Sequence, residues 1–128
     1  MGGCKLIIGI GCDLIEISRI EKALANPRFA QKVFTVGEIQ YCQARGIQKN
    51  QSYAARYAAK EAVSKAFGTG FRGGSLLDIE VVNNSMGKPE IKLNGVFATL
   101  AEECGCKNIY LSISHVKACA MAQVVVEG

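Results

Sequence analysis

Hydrophobic residues at the start of the chain follow first the pattern of a strand and then that of a helix. Residues 5–12 interleave apolar side chains with glycines, which predicts a strand that ends at Asp13. Residues 14–24 place Ile17, Ile20 and Leu24 three or four positions apart, which is the spacing of a helix with one apolar side. We expect Asn26 and Pro27 to end this helix, because the residue before a proline avoids helical geometry.

Helical patterns continue through the middle of the chain. Residues 29–33 predict a short turn or helix, and the spacing of Thr35 and Glu38 is that of a capping box that opens a helix to about residue 45. After a polar loop over residues 46–51, Ser52 can cap a long helix that ends at Gly68. One side of this helix carries small residues that would let another element pack very close to it, namely Ala55, Ala58, Ala59, Ala62 and Ala66.

The second half of the chain is rich in strand patterns. Residues 77–82 and 89–93 flank a turn that contains Gly87 and predict a hairpin. Asn94 is expected to cap a helix through residue 103, and two apolar strands over residues 108–114 and 118–126 meet at a tight connection that begins at His115. Helices grouped early and strands grouped late indicate an α+β fold, in which a mostly antiparallel sheet packs with a long central helix.

The composition supports a single domain over residues 1–128. The chain is 49% hydrophobic and 20% charged, which is typical of a globular protein. Its net charge of +4 is far from the dense basic stripe of a nucleic-acid-binding protein, but it is compatible with an acidic partner or a polyphosphate ligand. No apolar run is long enough to span a bilayer, so we expect no membrane partner.

The six cysteines indicate a reducing compartment. Most of them lie inside apolar or helical patterns, where a free thiol behaves as a small hydrophobic group. No export segment is recognisable in the polar first residues, so we expect a cytoplasmic protein without disulfides. Cys104 and Cys106 form a pair, but no second pair of matching spacing accompanies them, which argues against structural zinc.

Two carboxylates are candidates for a metal site. Asp13 follows the first strand, where it can serve either as a ligand or simply as the N-cap of the next helix. Glu61 and Lys65 lie four residues apart, which is also the spacing of an ordinary solvated salt bridge. If the alanine side of the long helix packs on the first strand, Glu61 reaches the neighbourhood of Asp13. Two carboxylates make a hard oxygen site, which suits Mg²⁺.

Two weaker features accompany the carboxylates. The glycine-rich segment over residues 68–74 contains Arg72, and its glycines would let backbone N–H groups approach phosphate oxygens, although glycines after a helix more often form only a cap and a turn. His115, the single histidine, ends a predicted strand. A histidine in such a place is more often structural than catalytic, so its value depends on its neighbours.

Five motifs in order along the chain resemble one family, the bacterial holo-acyl-carrier-protein synthases of the 4′-phosphopantetheinyl transferase superfamily. They are IGIGCDL at residues 8–14, RI at 19–20, ARYAAKEAVSKAFGTG at 55–70, GKP at 87–89 and SISH at 112–115. The block over residues 56–70 is the most specific. Two departures are visible, since Tyr57 stands where the family usually has Phe and Tyr110 where it usually has His.

The resemblance implies an enzyme of the phosphopantetheinyl transferase fold that assembles as a homotrimer, with active sites in the clefts between subunits. Coenzyme A would donate its 4′-phosphopantetheine arm to a serine of an acyl carrier protein of fatty acid biosynthesis. Adenosine 3′,5′-bisphosphate would leave. Asp13 and Glu61 match the magnesium ligands, and Glu61, Lys65 and His115 are the candidate catalytic residues.

The resemblance also assigns residues to the two substrates. Those matched to the coenzyme A site are Arg56, Lys65, His115, Gly68, Thr69 and Gly70, together with the loop that contains Arg45 and Lys49. Arg19 matches a residue that grips the acidic helix of the carrier protein, and Lys22 and Arg28 would extend that docking face. Two other functions use the same residues. One is a Mg²⁺-dependent hydrolase of nucleotide diphosphates, and the other is a non-enzymatic coenzyme A-binding module.

Overall fold

A computed structural model describes residues 5–68 and 74–128. Its strands are β1 (Ile7–Glu16), β2 (Ile79–Asn83), β3 (Pro89–Leu93), β4 (Asn108–His115) and β5 (Cys119–Glu127). Its α-helices are α1 (Ile17–Leu24), α2 (Pro27–Val33), α3 (Val36–Gln43), α4 (Lys49–Phe67) and α5 (Gly95–Glu103). All strand pairs are antiparallel, and they form two sheets, one in the order β1-β5-β4 and one of β2 and β3. The α+β fold with a long helix is confirmed.

The helix α4 is the centre of the core and packs across β1 and β5. The predicted alanine stripe supplies this contact, because its members Ala62 and Ala66 lie directly against β1. Gly9 and Gly11 of β1 face it so closely that a Cβ atom at either position would collide with the carbonyl oxygen of Ala66 or Ala62. Glycine on the strand and alanine on the helix together permit this close approach.

A buried ion pair fastens α4 on its other side. The Lys60 ammonium lies 2.6 Å from Glu38 Oε1 of α3, and both side chains are inaccessible to solvent. Lys60 also donates to the backbone carbonyls of Leu76 and Ile79, while Glu38 accepts from the backbone N–H of Val81. Burial lowers the pKa of Lys60, and Glu38 opposes this effect. The pair satisfies the ammonium completely and joins α3 and α4 to the start of β2.

Several predicted boundaries were wrong. The first strand does not end at Asp13 but continues to Glu16, so Asp13 is not a helix cap. Helix α4 begins at Lys49, after a 3₁₀ turn over Gly46–Gln48, so Ser52 lies inside the helix and does not cap it. Asn94 precedes α5 but its side chain makes no capping hydrogen bond. The capping box of Thr35 and Glu38 is confirmed.

One face of the larger sheet is left open in the single chain. Ile10 and Leu14 of β1 are 65% and 68% exposed, and Tyr110 of β4 is 49% exposed. Strands β1 and β4 are the two edges of this sheet, so apolar exposure extends across its width. Within the described ranges, none of the helices combines the length and hydrophobicity that a bilayer crossing requires.

The contact between β1 and α4 is testable with Gly11→Ala. We expect this variant to lose about 3 kcal/mol of unfolding free energy, because the new methyl group meets backbone atoms that cannot yield without moving the helix. Urea denaturation at equal protein concentration measures the loss. Gly37→Ala is the control, since it adds the same methyl group inside α3 and should change stability by less than about 1 kcal/mol. Wild-type stability of Gly11→Ala would contradict the close packing.

Candidate active site

An acidic region lies where α4 crosses β1. Asp13 is in the middle of β1, opposite Ala122 of β5, and Glu61 and Lys65 lie one turn apart on α4. The Lys65 Nζ donates to Asp13 Oδ1 at 2.9 Å and to the backbone carbonyl of Cys12 at 3.0 Å. The structure therefore brings Lys65 and Asp13 into direct contact, although they are far apart in the sequence.

Tyr57 and Lys65 both interact with Asp13 and with Glu61. Burial, together with a hydrogen bond to Glu61 and the negative charges of Glu61 and Asp13, raises the pKa of the Tyr57 phenol to about 12. The hydrogen bond with Asp13 raises the pKa of Lys65, and the charges of Asp13 and Glu61 contribute. Because the same two side chains interact with both acids, Asp13 and Glu61 occupy one small region of the surface.

The donor set of this region fits a hard divalent cation. Across residues 5–68 and 74–128, no three His, Cys, Asp or Glu side chains come close enough together to hold a metal ion. An ion held by Asp13 and Glu61 would therefore complete its coordination with water or with phosphate oxygens, which is the usual arrangement for Mg²⁺. Structural zinc, by contrast, takes four protein ligands.

A basic cavity lies on another side of α4. It has a volume of about 200 Å³, and the lining includes Arg45, Arg56, His115, Tyr41 and Asn83. Arg56 projects from α4, Arg45 follows α3, and His115 is the last residue of β4. Three of the predicted coenzyme A residues are thus brought together, and the lone histidine has two arginines as neighbours.

The other predicted residues that the structure describes do not line the basic cavity. Lys49 lines a separate cavity of about 520 Å³ between α1, α2, α3 and α4, so it does not share the cavity of Arg45. Gly68 ends α4 in a left-handed conformation with φ of 71°. Thr69, Gly70 and Arg72 lie outside the described residues. Three basic residues are exposed on α1 and α2, namely Arg19, Lys22 and Arg28.

The geometry of α4 separates the two regions. Arg56 and Lys65 are nine residues apart, which places them on opposite sides of the helix, about 180° around its axis and ~13 Å along it. The acidic region and the basic cavity of one chain therefore open in different directions.

Comparison with known proteins supplies the family. The model of the 4′-phosphopantetheinyl transferase superfamily matches residues 9–120. The chain belongs to this superfamily. The resemblance carried by the five sequence motifs is confirmed.

Relatives named holo-[acyl-carrier-protein] synthase, and solved structures of proteins with that name, match nearly the whole chain. The holo-[acyl-carrier-protein] synthase of Ruminiclostridium cellulolyticum is 46% identical over an alignment of 120 residues, and the match covers 91% of this chain and 90% of the relative. The crystal structure of the Neisseria meningitidis synthase aligns with a TM-score of 0.88 at 33% identity, covering 96% of this chain and 100% of that one. The Bacillus anthracis synthase, solved in complex with CoA (3′,5′-ADP), has a TM-score of 0.79 at 41% identity and covers 95% and 97%.

Two residues of the basic cavity were missed in the sequence, and a third residue, Tyr57, was named there only as a departure from the family pattern. Tyr41 and Asn83 line the basic cavity, and Tyr57 lies close enough to Glu61 that burial and this acid together raise the pKa of its phenol. Tyr41 lies four residues before Arg45, and side chains at this spacing on a helix are neighbours, so the sequence did carry a signal that places Tyr41 beside Arg45. Asn83 ends β2 and carried no comparable signal, because only the folded hairpin brings it to Arg56.

Proposed function

We propose that this chain transfers the 4′-phosphopantetheine arm of coenzyme A to a serine of an apo acyl carrier protein and releases adenosine 3′,5′-bisphosphate. The observation that carries the proposal is the pairing of a carboxylate region with a separate basic cavity on α4, in a chain of the phosphopantetheinyl transferase superfamily. Relatives at 46% identity are holo-[acyl-carrier-protein] synthases, which favours carriers of fatty acid biosynthesis. We also propose the cytoplasm as the location.

Asp13 and Glu61 would hold Mg²⁺, which supplies neutralisation of the diphosphate charge when it is bound. Lys65 adds a positive charge beside Asp13 and stabilises the departing phosphate. Glu61 is also the candidate base for the serine hydroxyl, either directly or through an intervening water. Tyr57 lies one turn before Glu61 on α4, and its hydroxyl would donate to that carboxylate and orient it.

The basic cavity would bind phosphate groups of the nucleotide. Arg56 is only 5% exposed and makes no ion pair with a carboxylate of the described ranges, so its charge is available to an anion. Arg45 and His115 line the same cavity. Lys65 completes the coenzyme A contacts from the acidic region. Because Lys49 lines a different cavity, its predicted phosphate contact is not part of this proposal.

A homotrimer would bring the two regions together. The acidic region of one subunit and the basic cavity of its neighbour can face a single ligand, whereas the two regions of one chain open in different directions. The exposed apolar face that includes Ile10 and Leu14 is a surface that such an assembly would cover. Each active site would then draw residues from two subunits.

The carrier protein would dock on the exposed basic residues of α1 and α2. Arg19, Lys22 and Arg28 lie there without a carboxylate ion pair among the described residues. Arg19 is also close enough to Tyr57 to affect its pKa, so the docking face borders the acidic region. An acidic carrier would be steered to this face, and its serine would arrive beside Glu61.

The proposed reaction is tested by incubating the protein with coenzyme A, Mg²⁺ and an apo acyl carrier protein, and by measuring the carrier mass. We expect the carrier to gain one phosphopantetheine group at its serine, because the site supplies both charge neutralisation and a base. Release of free phosphopantetheine without carrier labelling would instead indicate a hydrolase. Coenzyme A that binds and stays intact would indicate a binding module.

The metal assignment is tested with Asp13→Asn and Glu61→Gln. We expect each variant to bind Mn²⁺, used as a spectroscopic substitute for Mg²⁺, at least about tenfold more weakly and to lose transfer, because each loses one anionic ligand. Electron paramagnetic resonance measures the free ion. Lys22→Ala is the control, and it should raise the carrier KM while leaving ion affinity unchanged. Wild-type Mn²⁺ affinity in both variants would contradict the assignment of Asp13 and Glu61 as metal ligands.

The shared active site is tested by co-expressing two inactive variants with different purification tags. Glu61→Gln damages the acidic region and Arg56→Met the basic cavity, so mixed trimers contain some intact clefts. We expect roughly a third of wild-type activity from trimers purified through both tags, because a closed ring that contains both variants has one intact cleft in three.

A mixture of Glu61→Gln with Asp13→Asn is the matched control for this experiment. Both substitutions damage the acidic region, so no intact cleft can form and activity should stay absent. Failure of the first mixture to recover activity would show that each chain acts alone.

A further inference from the structure

The Arg56 guanidinium is a buried cation with incomplete hydrogen bonding. Its Nη2 donates to Asn83 Oδ1, and Asn83 is itself held by a bond from its Nδ2 to the backbone carbonyl of Gly87. Its Nε has no hydrogen-bond partner among the described residues. Buried cations are normally paired with an acid, because desolvation of an unpaired charge is costly. Some other contact must therefore hold this group in place.

That contact is the ring of Tyr41. The Arg56 Cζ lies 3.9 Å from the ring centroid, and the Arg45 Cζ lies 5.6 Å from the same centroid. Both distances are within the range of cation–π attraction, in which the negative face of the ring stabilises a guanidinium. Tyr41 comes from α3 and Arg56 from α4, so the contact also joins two helices beside the cavity.

A ring holds a cation without neutralising it. A carboxylate in the place of Tyr41 would cancel the positive charge and occupy its N–H donors in a bidentate pair. The ring leaves the charge in place and fixes the plane of the guanidinium, while Asn83 fixes one end. The Arg56 side chain, with this charge, lines the cavity that His115 also lines.

We propose that Tyr41 is a positioning residue, whose ring holds the guanidinium groups of Arg56 and Arg45 in the orientation that receives a phosphate group of the nucleotide. This inference rests on the proposed function. Tyr41 acts through the two arginines and not by touching the reacting atoms.

The test compares Tyr41→Leu, which removes the aromatic face, with the conservative variant Tyr41→Phe, which keeps it. Isothermal titration with adenosine 3′,5′-bisphosphate, at fixed ionic strength and with the full chain, measures affinity. We expect about tenfold weaker binding for Tyr41→Leu, because an aromatic contact with a desolvated cation has that magnitude. Tyr41→Phe should bind within about twofold of wild type, since the phenyl face retains the attraction.

Steady-state kinetics separates positioning from general structural support. Tyr41→Leu should raise the KM for coenzyme A by about the same factor by which it weakens bisphosphate binding, with kcat unchanged. The KM for the carrier should also stay unchanged, because the proposed docking face lies elsewhere, on α1 and α2. Equal increases in both KM values together with a lower Tm would overturn the inference. If Tyr41→Leu does not fold, Tyr41→pentafluorophenylalanine replaces it, since that ring keeps its shape but loses the negative face.

The wild-type titration distinguishes failure of the role of Tyr41 from failure of the proposed function. Wild-type protein that binds the bisphosphate, with Tyr41→Leu binding it equally well, would overturn the role of Tyr41 and leave the proposed function standing. Wild-type protein that neither binds the bisphosphate nor labels the carrier would overturn the proposed function, and the inference with it. Loss of affinity in Tyr41→Phe equal to that in Tyr41→Leu would assign the effect to the hydroxyl and also overturn the inference.

Discussion

The close contact between α4 and β1 is the constraint on which the rest of the structure depends. Gly9 and Gly11 leave no room for a side chain, and the alanines of α4 present little more than backbone to them. This proximity lets Lys65 reach Asp13 with a direct hydrogen bond. A larger side chain on either surface would push the helix outward and separate the acidic region into unrelated surface charges.

The buried pair of Lys60 and Glu38 gives α4 a second, polar anchor. Apolar packing on β1 restricts the distance of the helix from the sheet, but it is weakly directional. Lys60 adds three defined bonds, to Glu38 and to the carbonyls of Leu76 and Ile79, and these bonds resist rotation of α4 about its axis. Rotation matters because the angular positions of Arg56, Glu61 and Lys65 decide which surface each of them serves.

The sequence predicted most helices and strands, but it placed several of their ends wrongly. It also predicted local motifs better than the contacts between residues that are distant along the chain. The alanine stripe and the capping box of Thr35 were readable because each depends on local spacing alone. The first strand continues past Asp13 because pairing with β5 extends to Glu16, which no local pattern discloses. Ser52 has good capping chemistry, but the helix starts earlier, at Lys49. Arg45 and Lys49 are close in the chain yet line different cavities, since only tertiary packing decides that separation.

Separation of the two charged regions fits the ligands proposed for them, a cation for one and a phosphate group for the other. If Arg56 and Glu61 lay on the same side of α4, they would form an ion pair with each other, and neither charge would remain for a phosphate or a cation. Placing the two residues on opposite sides of α4 prevents this pairing, and both residues still project from the same rigid helix. Under the proposed function, this arrangement means that one chain alone cannot direct both sets of charges at a single diphosphate ligand. Under the proposed assembly, the dependence on a second subunit is thus a direct consequence of keeping the binding charges unpaired within the first.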